Sequence, residues 1–133
     1  GDFIEVPIRW SDVDRQGHVN NVSLAGYLQE ARILATTSWS PGMRRAGNYL
    51  WVVVRQDIRY RRQVLPTQRS CRVHTALTRL GTSSMTLAGS IATEEGSALD
   101  AATVLVCVDP KTGASVPIDD QTRQALSAYL VTV

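Results

Sequence analysis

A chain of 133 residues with 44% hydrophobic and 20% charged residues predicts a single globular domain over residues 1–133. Fourteen basic and twelve acidic side chains leave a formal net charge of +2, which is too small to indicate a nucleic-acid or membrane partner. No apolar run approaches the ~20 residues of a membrane-spanning helix. Cys71 and Cys107 lie in strand-like runs without metal-ligand spacing, which is typical of reduced, buried thiols in a cytoplasmic protein.

The first predicted element is a strand over residues 3–10. Its alternation places four apolar side chains on one face, namely Ile4, Val6, Ile8 and Trp10. Pro7 cannot donate a backbone hydrogen bond, so this strand is expected to lie at a sheet edge or to be irregular.

A long helix is predicted after a polar loop. Apolar residues recur at helical spacing over three turns, namely Leu24, Tyr27, Leu28, Ala31, Leu34 and Ala35. Asn20, Asn21 or Ser23 would cap the helix, which should end near Trp39. Gly26 costs a helix interior about 1 kcal/mol, so we expect a close approach of the sheet or of a ligand there.

Four strand-like runs follow, over residues 50–60, 70–80, 84–93 and 99–109. In the first run, alternation places Leu50, Val52, Val54, Ile58 and Tyr60 on one face. In the next two, the shared faces hold Cys71, Val73, Thr75 and Leu77, and then Met85, Leu87 and Ile91. The last run is apolar on both faces, which predicts an interior strand.

Turns are expected at Glu95-Gly96 and over residues 109–113, and a short helix over residues 119–130 should be capped by Asp119 or Asp120. The order β-α-β-β-β-β-α predicts an α+β domain. In it, one curved antiparallel sheet of about five strands would wrap one long central helix.

The loop before the long helix concentrates the reactive side chains of the chain. Residues 10–21 read WSDVDRQGHVNN and hold two carboxylates, an imidazole, a turn glycine and two amides. A helix N-terminus offers free N–H groups and partial positive charge. A carboxylate beside such donors suits acyl transfer, because one group activates or delivers a nucleophile while the other holds a developing oxyanion. A thioester needs no metal for this, since its carbonyl is electrophilic and its thiolate leaves readily.

Together with residues 27–32, 57–60 and 77–84, this loop resembles the hotdog-fold acyl-CoA thioesterases of the 4-hydroxybenzoyl-CoA thioesterase type. The similarity extends over almost the whole chain. It implies a hotdog fold in a homodimer or homotetramer, with active sites where two subunits meet. It also implies hydrolysis of an acyl-CoA to a free acid and CoA, with no cofactor beyond the coenzyme A of the substrate.

The resemblance implies roles for single residues. Asp14 matches the catalytic carboxylate, which attacks the thioester or activates water. Asn21 matches the first helical residue, whose N–H polarises the thioester carbonyl, and His18 matches a polar group of the same catalytic pocket. Asn20 and Tyr27 are expected to contact the substrate.

A second region is expected to contact coenzyme A. Arg79, Ser83 and Ser84 correspond to the turn that meets the pantetheine arm or the nucleotide phosphates in such enzymes. Seven arginines lie within residues 55–79, and they either form a solvated sheet face or include some that grip phosphate.

Other polar residues have simpler interpretations. Asp12 is expected to serve the turn, because aspartate side chains bind nearby backbone N–H groups. His18 alone could be a structural, hydrogen-bonded residue, and His74 on a polar strand face is expected to do no chemistry. Glu30, on the flank of the helix, is a reserve candidate for the catalytic carboxylate.

Two other functions are compatible with the same residues. One is a thioesterase of the same fold that acts on acyl groups held by a carrier protein, whose acidic surface the arginines would suit. The other is a hotdog dimer that binds an acyl-CoA without turning it over.

Overall fold

The computed structural model describes residues 1–41, 49–65, 69–94 and 96–131. Its elements in chain order are β1 (Asp2–Pro7), a 3-10 turn (Trp10–Asp12), α1 (Asn21–Trp39), β2 (Leu50–Tyr60), β3 (Ser70–Leu80), β4 (Ser84–Thr93), β5 (Gly96–Val108) and α2 (Asp120–Ser127). The predicted order of strands and helices is confirmed, and β2, β3 and β4 have the predicted limits. Glu95, where a turn is predicted, lies outside the described residues.

The strands form one antiparallel sheet in the order β1-β3-β4-β5-β2. β1 lies at one edge, as Pro7 predicts, and β2 lies at the other. β5 is interior, between β4 and β2, as its two apolar faces predict. α1 packs against β1, β3 and β4. Among the described residues, no helix is long and apolar enough to cross a membrane.

The first strand is shorter than predicted. β1 ends at Pro7, and the chain then enters the 3-10 turn, in which Trp10 is 93% exposed. The prediction that Trp10 shares the inward face of Val6 is therefore wrong, because the strand alternation ends before it. α2 is also shorter than predicted, although Asp119 caps it through the Thr122 N–H as expected.

α1 begins and ends where the sequence predicts. The Asn20 side-chain oxygen accepts the Ser23 N–H at 2.8 Å and caps the helix. The buried face consists of Leu24, Tyr27, Leu28, Ala31, Arg32, Ala35, Thr36 and Trp39. Leu34 is 49% exposed, since 3.6 residues per turn place it about 120° around the axis from Leu28, which is near the middle of the buried face.

Gly26 lies on the outward side of α1. A Cβ added there would meet nothing within 4 Å in the described chain. The predicted close approach of the sheet at this glycine is therefore wrong, because the sheet packs on the opposite side of the helix.

Two apolar clusters hold α1 on the sheet. The cluster under its first half includes Val19, Leu24 and Val64, and the cluster under its second half includes Trp39 and Leu77. Each fully buried Val or Leu stabilises the fold by about 1.5–3 kcal/mol. The first cluster also fixes the loop before α1, because the Val19 N–H donates to the Val64 carbonyl at 2.8 Å.

A bulge in β2 changes which side chains face the core. Its pairing with β5 shifts between Val53 and Arg55, so Trp51 before the bulge and Ile58 after it both pack against the core. Val54, predicted to share the face of Ile58, is 58% exposed. The prediction that Val54 and Ile58 share a face of β2 is wrong, because the extra residue of the bulge reverses which side chains face the core.

Candidate active site

Asp12 ties the loop before α1 to the helix. Its side chain is buried and accepts hydrogen bonds from the Arg9 backbone and guanidinium, from the Tyr27 hydroxyl at 2.5 Å and from the Ser23 hydroxyl at 3.2 Å. Its carbonyl accepts the Asn20 N–H. Burial by itself raises the pKa of Asp12, but the hydrogen bonds from Tyr27, Arg9 and Ser23 outweigh it and lower the pKa to about 2. Asp12 is thus a structural carboxylate, as predicted.

Asp14 lies at the exposed tip of the same loop. Its Oδ1 accepts the backbone N–H groups of Gln16 at 2.9 Å and His18 at 3.1 Å. Gly17 closes the turn with a φ of 79°, a conformation that glycine adopts without strain. Within the described residues, Oδ2 makes no hydrogen bond. The loop therefore fixes the carboxylate and leaves one oxygen for chemistry.

The N-terminus of α1 lies beside this carboxylate. Asn21 is the first residue of the helix, and its N–H has no partner among the described residues. The Tyr60 hydroxyl, at the end of the edge strand β2, donates to the Asn21 carbonyl at 3.3 Å. A free N–H with the positive end of the helix dipole behind it is a donor for a developing anion.

One cavity of about 310 Å³ brings most of the predicted catalytic residues together. It is lined by Asp14, Gln16, His18, Val19, Asn20, Asn21, Val22 and Gln63. Within the described part of the chain, the buried Nδ1 of His18 has no hydrogen-bond partner. Gln63 was not predicted, because it enters from the segment after β2 and no local motif marks it.

Tyr27, the predicted substrate contact, is buried with its hydroxyl on Asp12. Burial, followed by this hydrogen bond, raises the pKa of Tyr27. Tyr27 and Glu30 line a separate cavity of about 470 Å³ that also contains Val22 and Gly26. The reserve carboxylate Glu30 therefore lies outside the Asp14 cavity.

The predicted coenzyme A contacts lie far from Asp14 within one chain. β3 starts beside Pro7, near the loop that carries Asp14, and Arg79 follows Ser70 by nine residues, or about 30 Å of strand. Ser83 and Ser84 follow at the same end of the sheet, where the Ser83 carbonyl accepts the Cys107 N–H at 2.8 Å. Within a single chain, the predicted coenzyme A contacts therefore do not lie beside Asp14.

His74 is the remaining histidine, and it stacks on Phe3 with 4.5 Å between ring centroids. Burial lowers the pKa of His74. Among the described residues, no three His, Cys, Asp or Glu side chains converge in a way that could hold a metal ion.

Known proteins match this chain over nearly its whole length. The model of the thioesterase-like superfamily matches residues 8–126. The uncharacterized protein YsmA of Bacillus subtilis strain 168 is 31% identical over 125 residues, which cover 93% of this chain and 84% of that protein. A Thermus thermophilus thioesterase, solved in complex with coenzyme A and Zn, is 28% identical with a TM-score of 0.82, over 96% of this chain and 92% of that chain. A candidate thioesterase of Pseudomonas aeruginosa is 31% identical with a TM-score of 0.81, over 93% of this chain and 96% of that chain.

Proposed function

We propose that this chain, which belongs to the thioesterase-like superfamily, hydrolyses acyl-CoA thioesters to a free acid and CoA. The observation that carries the proposal is the shared cavity of the Asp14 carboxylate and the Asn21 N–H. Coenzyme A bound to the Thermus thermophilus relative supports a CoA thioester as the substrate. The proposed reaction calls for no separate cofactor, and coenzyme A takes part as a portion of the substrate.

Asp14 would act at the thioester carbon, and the Asn21 N–H would act at the carbonyl oxygen. In the base route, Asp14 takes a proton from water while the water oxygen bonds to that carbon. The carbonyl oxygen gains negative charge and accepts the Asn21 N–H, which a helix N-terminus favours. The C–S bond then breaks, and the CoA thiolate leaves and takes up a proton.

In the nucleophile route, Asp14 itself bonds to the carbon and expels the thiolate, and water then attacks the Asp14 carboxyl carbon of the anhydride and releases the acid. Single-turnover hydrolysis in ¹⁸O-labelled water separates the routes. The base route puts the label into the acid at the first turnover. The nucleophile route gives a first product whose new oxygen comes from Asp14.

Two polar neighbours, Asn20 and His18, complete the proposed pocket. Asn20 uses its side-chain oxygen for the helix cap, which leaves its amide N–H groups for the substrate. His18 lines the same cavity, and its Nδ1, which has no partner among the described residues, would bind the thioester or the attacking water. Tyr27 lines the neighbouring cavity, which shares Val22 with this pocket, and there it would meet the substrate through its ring, since Asp12 holds the hydroxyl.

The proposed coenzyme A contacts Arg79, Ser83 and Ser84 would belong to a second subunit. They lie at the far end of β3 and β4 from Asp14 of the same chain, so a homodimer or homotetramer would have to supply them. Arginine suits the phosphates of coenzyme A because its planar guanidinium donates two parallel hydrogen bonds.

The experiment that tests this function is a turnover screen over acyl-CoAs of increasing chain length and aromaticity. Release of free CoA from at least one of them, at a rate proportional to enzyme, is the expected result. Tight binding without turnover across the whole series would contradict hydrolysis and favour a non-catalytic acyl-CoA-binding dimer.

The carrier-protein alternative rests on the exposed arginines Arg55 and Arg59 of the edge strand β2. An acidic carrier protein would fit such a surface. The two functions are distinguished by an assay of the same acyl group on CoA and on the carrier protein at equal concentration. We expect the higher kcat/KM with CoA.

A further inference from the structure

Two cavities on the outward side of α1 meet at the same two residues. The first, of about 470 Å³, lies between the end of β1 and the start of α1, and the second, of about 290 Å³, lies beside Ile33 and Leu34. Gly26 and Glu30 line both. We call the combined feature the α1 groove; it runs from Val22 to Leu34, about 18 Å at 1.5 Å per residue.

The walls of the α1 groove are largely apolar. Val6, Pro7 and Tyr27 line its first part, and Ile33 and Leu34 line its second. Its charged side chains, Arg9 and Glu30, are exposed. Ser23 and Gln29 also line the groove, whose remaining walls are apolar. A long groove with mainly apolar walls fits a linear hydrocarbon chain.

Gly26 has no side chain that would divide the groove. It stands where the two cavities join, and a side chain there would project into open space, since a Cβ meets nothing within 4 Å. Its φ is not positive, and no neighbour in the described chain requires a missing side chain. Alanine is a much better helix former, so neither packing nor backbone conformation explains the glycine.

The groove opens beside the proposed catalytic groups. Val22 borders both the groove and the Asp14 cavity. Gly26 lies five residues after Asn21, about 7.5 Å along the helix axis. A thioester carbonyl on the Asn21 N–H would thus have the mouth of the groove within reach of its acyl substituent.

From these observations we infer that the α1 groove holds the acyl chain of the substrate and that Gly26 determines how long this chain can be. The substrate class is then a linear acyl thioester whose chain extends past Gly26, rather than a compact aromatic one. This inference rests on the proposed function, because it places the thioester carbonyl at Asn21.

The test compares acetyl-CoA with dodecanoyl-CoA in wild type, Gly26→Ala, Gly26→Leu and the control Thr37→Leu. Thr37 is exposed on the same helix but does not line the groove. Gly26→Leu should lower kcat/KM for dodecanoyl-CoA by about 10-fold or more, the usual effect of misfit in an apolar pocket. The loss for acetyl-CoA should be much smaller, because its chain is too short to reach Gly26, and Gly26→Ala should give a smaller loss for dodecanoyl-CoA than Gly26→Leu. Thr37→Leu should behave as wild type.

Three results would overturn the inference: a wild type that prefers acetyl-CoA, an unchanged chain-length preference in Gly26→Leu, or an equal loss for both substrates with altered sedimentation. The last would make this face a subunit contact. If the wild type turns over no acyl-CoA, the proposed function fails, and calorimetric binding of dodecanoyl-CoA becomes the readout. Binding to wild type but not to Gly26→Leu would still support the groove, whereas equal binding would overturn it.

Discussion

Asp12 and Asp14 are separated by one residue, and their side chains lie in different environments. Asp12 is 3% exposed and bound to groups of α1, whereas Asp14 is exposed and bound only within its own turn. Turn chemistry predicts a structural role for Asp12, and the family resemblance predicts a catalytic role for Asp14. It does not predict the partnership of Asp12 with Tyr27, which are fifteen residues apart and meet only when α1 packs on the loop.

The lowered pKa of Asp12 makes part of the stability pH-dependent. Its folded pKa, about 2, is below the ordinary 3.8, so its contribution is present above pH ~4 and is lost as pH falls toward 2. Asp12→Asn should lower the free energy of unfolding at pH 7 by about 1–3 kcal/mol, because buried donors lose their acceptor. In denaturant titrations, the difference in unfolding free energy between the variant and wild type should shrink as the pH falls from 4 to 2. A gap independent of pH would contradict the role assigned to this carboxylate.

At the scale of elements, the cap of α1 connects stability with the site. Asn20→Ala should cost about 1 kcal/mol of unfolding free energy, while Asn20→Ser should keep the cap. If the Asn20 amide also contacts substrate, as proposed, serine should restore the unfolding free energy but leave KM raised. Full recovery of KM in Asn20→Ser would contradict the substrate contact and leave only the cap.

Element limits were largely predictable, but side-chain direction in β2 was not. Hydrophobic alternation and turn residues predict where β2, β3 and β4 begin and end, because these signals are local. The bulge near Val54 depends on how β2 pairs with β5, and no local residue marks it. Loop residues such as Gln63 escape prediction for the same reason, since their place in the site depends on the path of the chain across the fold.

At the scale of the whole molecule, the edge strand β2 supports the proposal of a dimer or tetramer. Leu50, Val53, Val54 and Tyr60 are exposed on this edge strand, and the unpaired backbone of an edge is a template for another strand.

We expect the protein to sediment as a dimer or tetramer at micromolar concentration. Val53→Lys should weaken the assembly, because a charged side chain disfavours strand pairing at an edge. The matched substitution Phe3→Lys, on the opposite edge strand β1, should have no such effect. A monomeric wild type would contradict association and the two-subunit site.

Association would also place Arg79 near the coenzyme A of another subunit. Arg79→Ala should raise KM and leave kcat nearly unchanged, as expected when binding common to ground and transition states is lost. The effect should be larger at low salt, since ions screen phosphate contacts at a surface. Arg123→Ala is unsuitable as a control because Arg123 holds the Gly81 and Thr82 carbonyls; the exposed Arg15→Ala serves instead. An unchanged KM at low salt would remove Arg79 from the site.

The most direct test of the account is the kcat of Asp14→Asn on the best acyl-CoA, beside Asp109→Asn. Asp109 is a matched control, because its Oδ1 also accepts a backbone N–H two residues on, from Lys111 at 2.7 Å. Asparagine keeps that acceptor, so both variants should fold and bind acyl-CoA as wild type does. The account predicts a ~10²–10⁴-fold loss of kcat for Asp14→Asn and none for Asp109→Asn. A near-normal kcat in Asp14→Asn would contradict it.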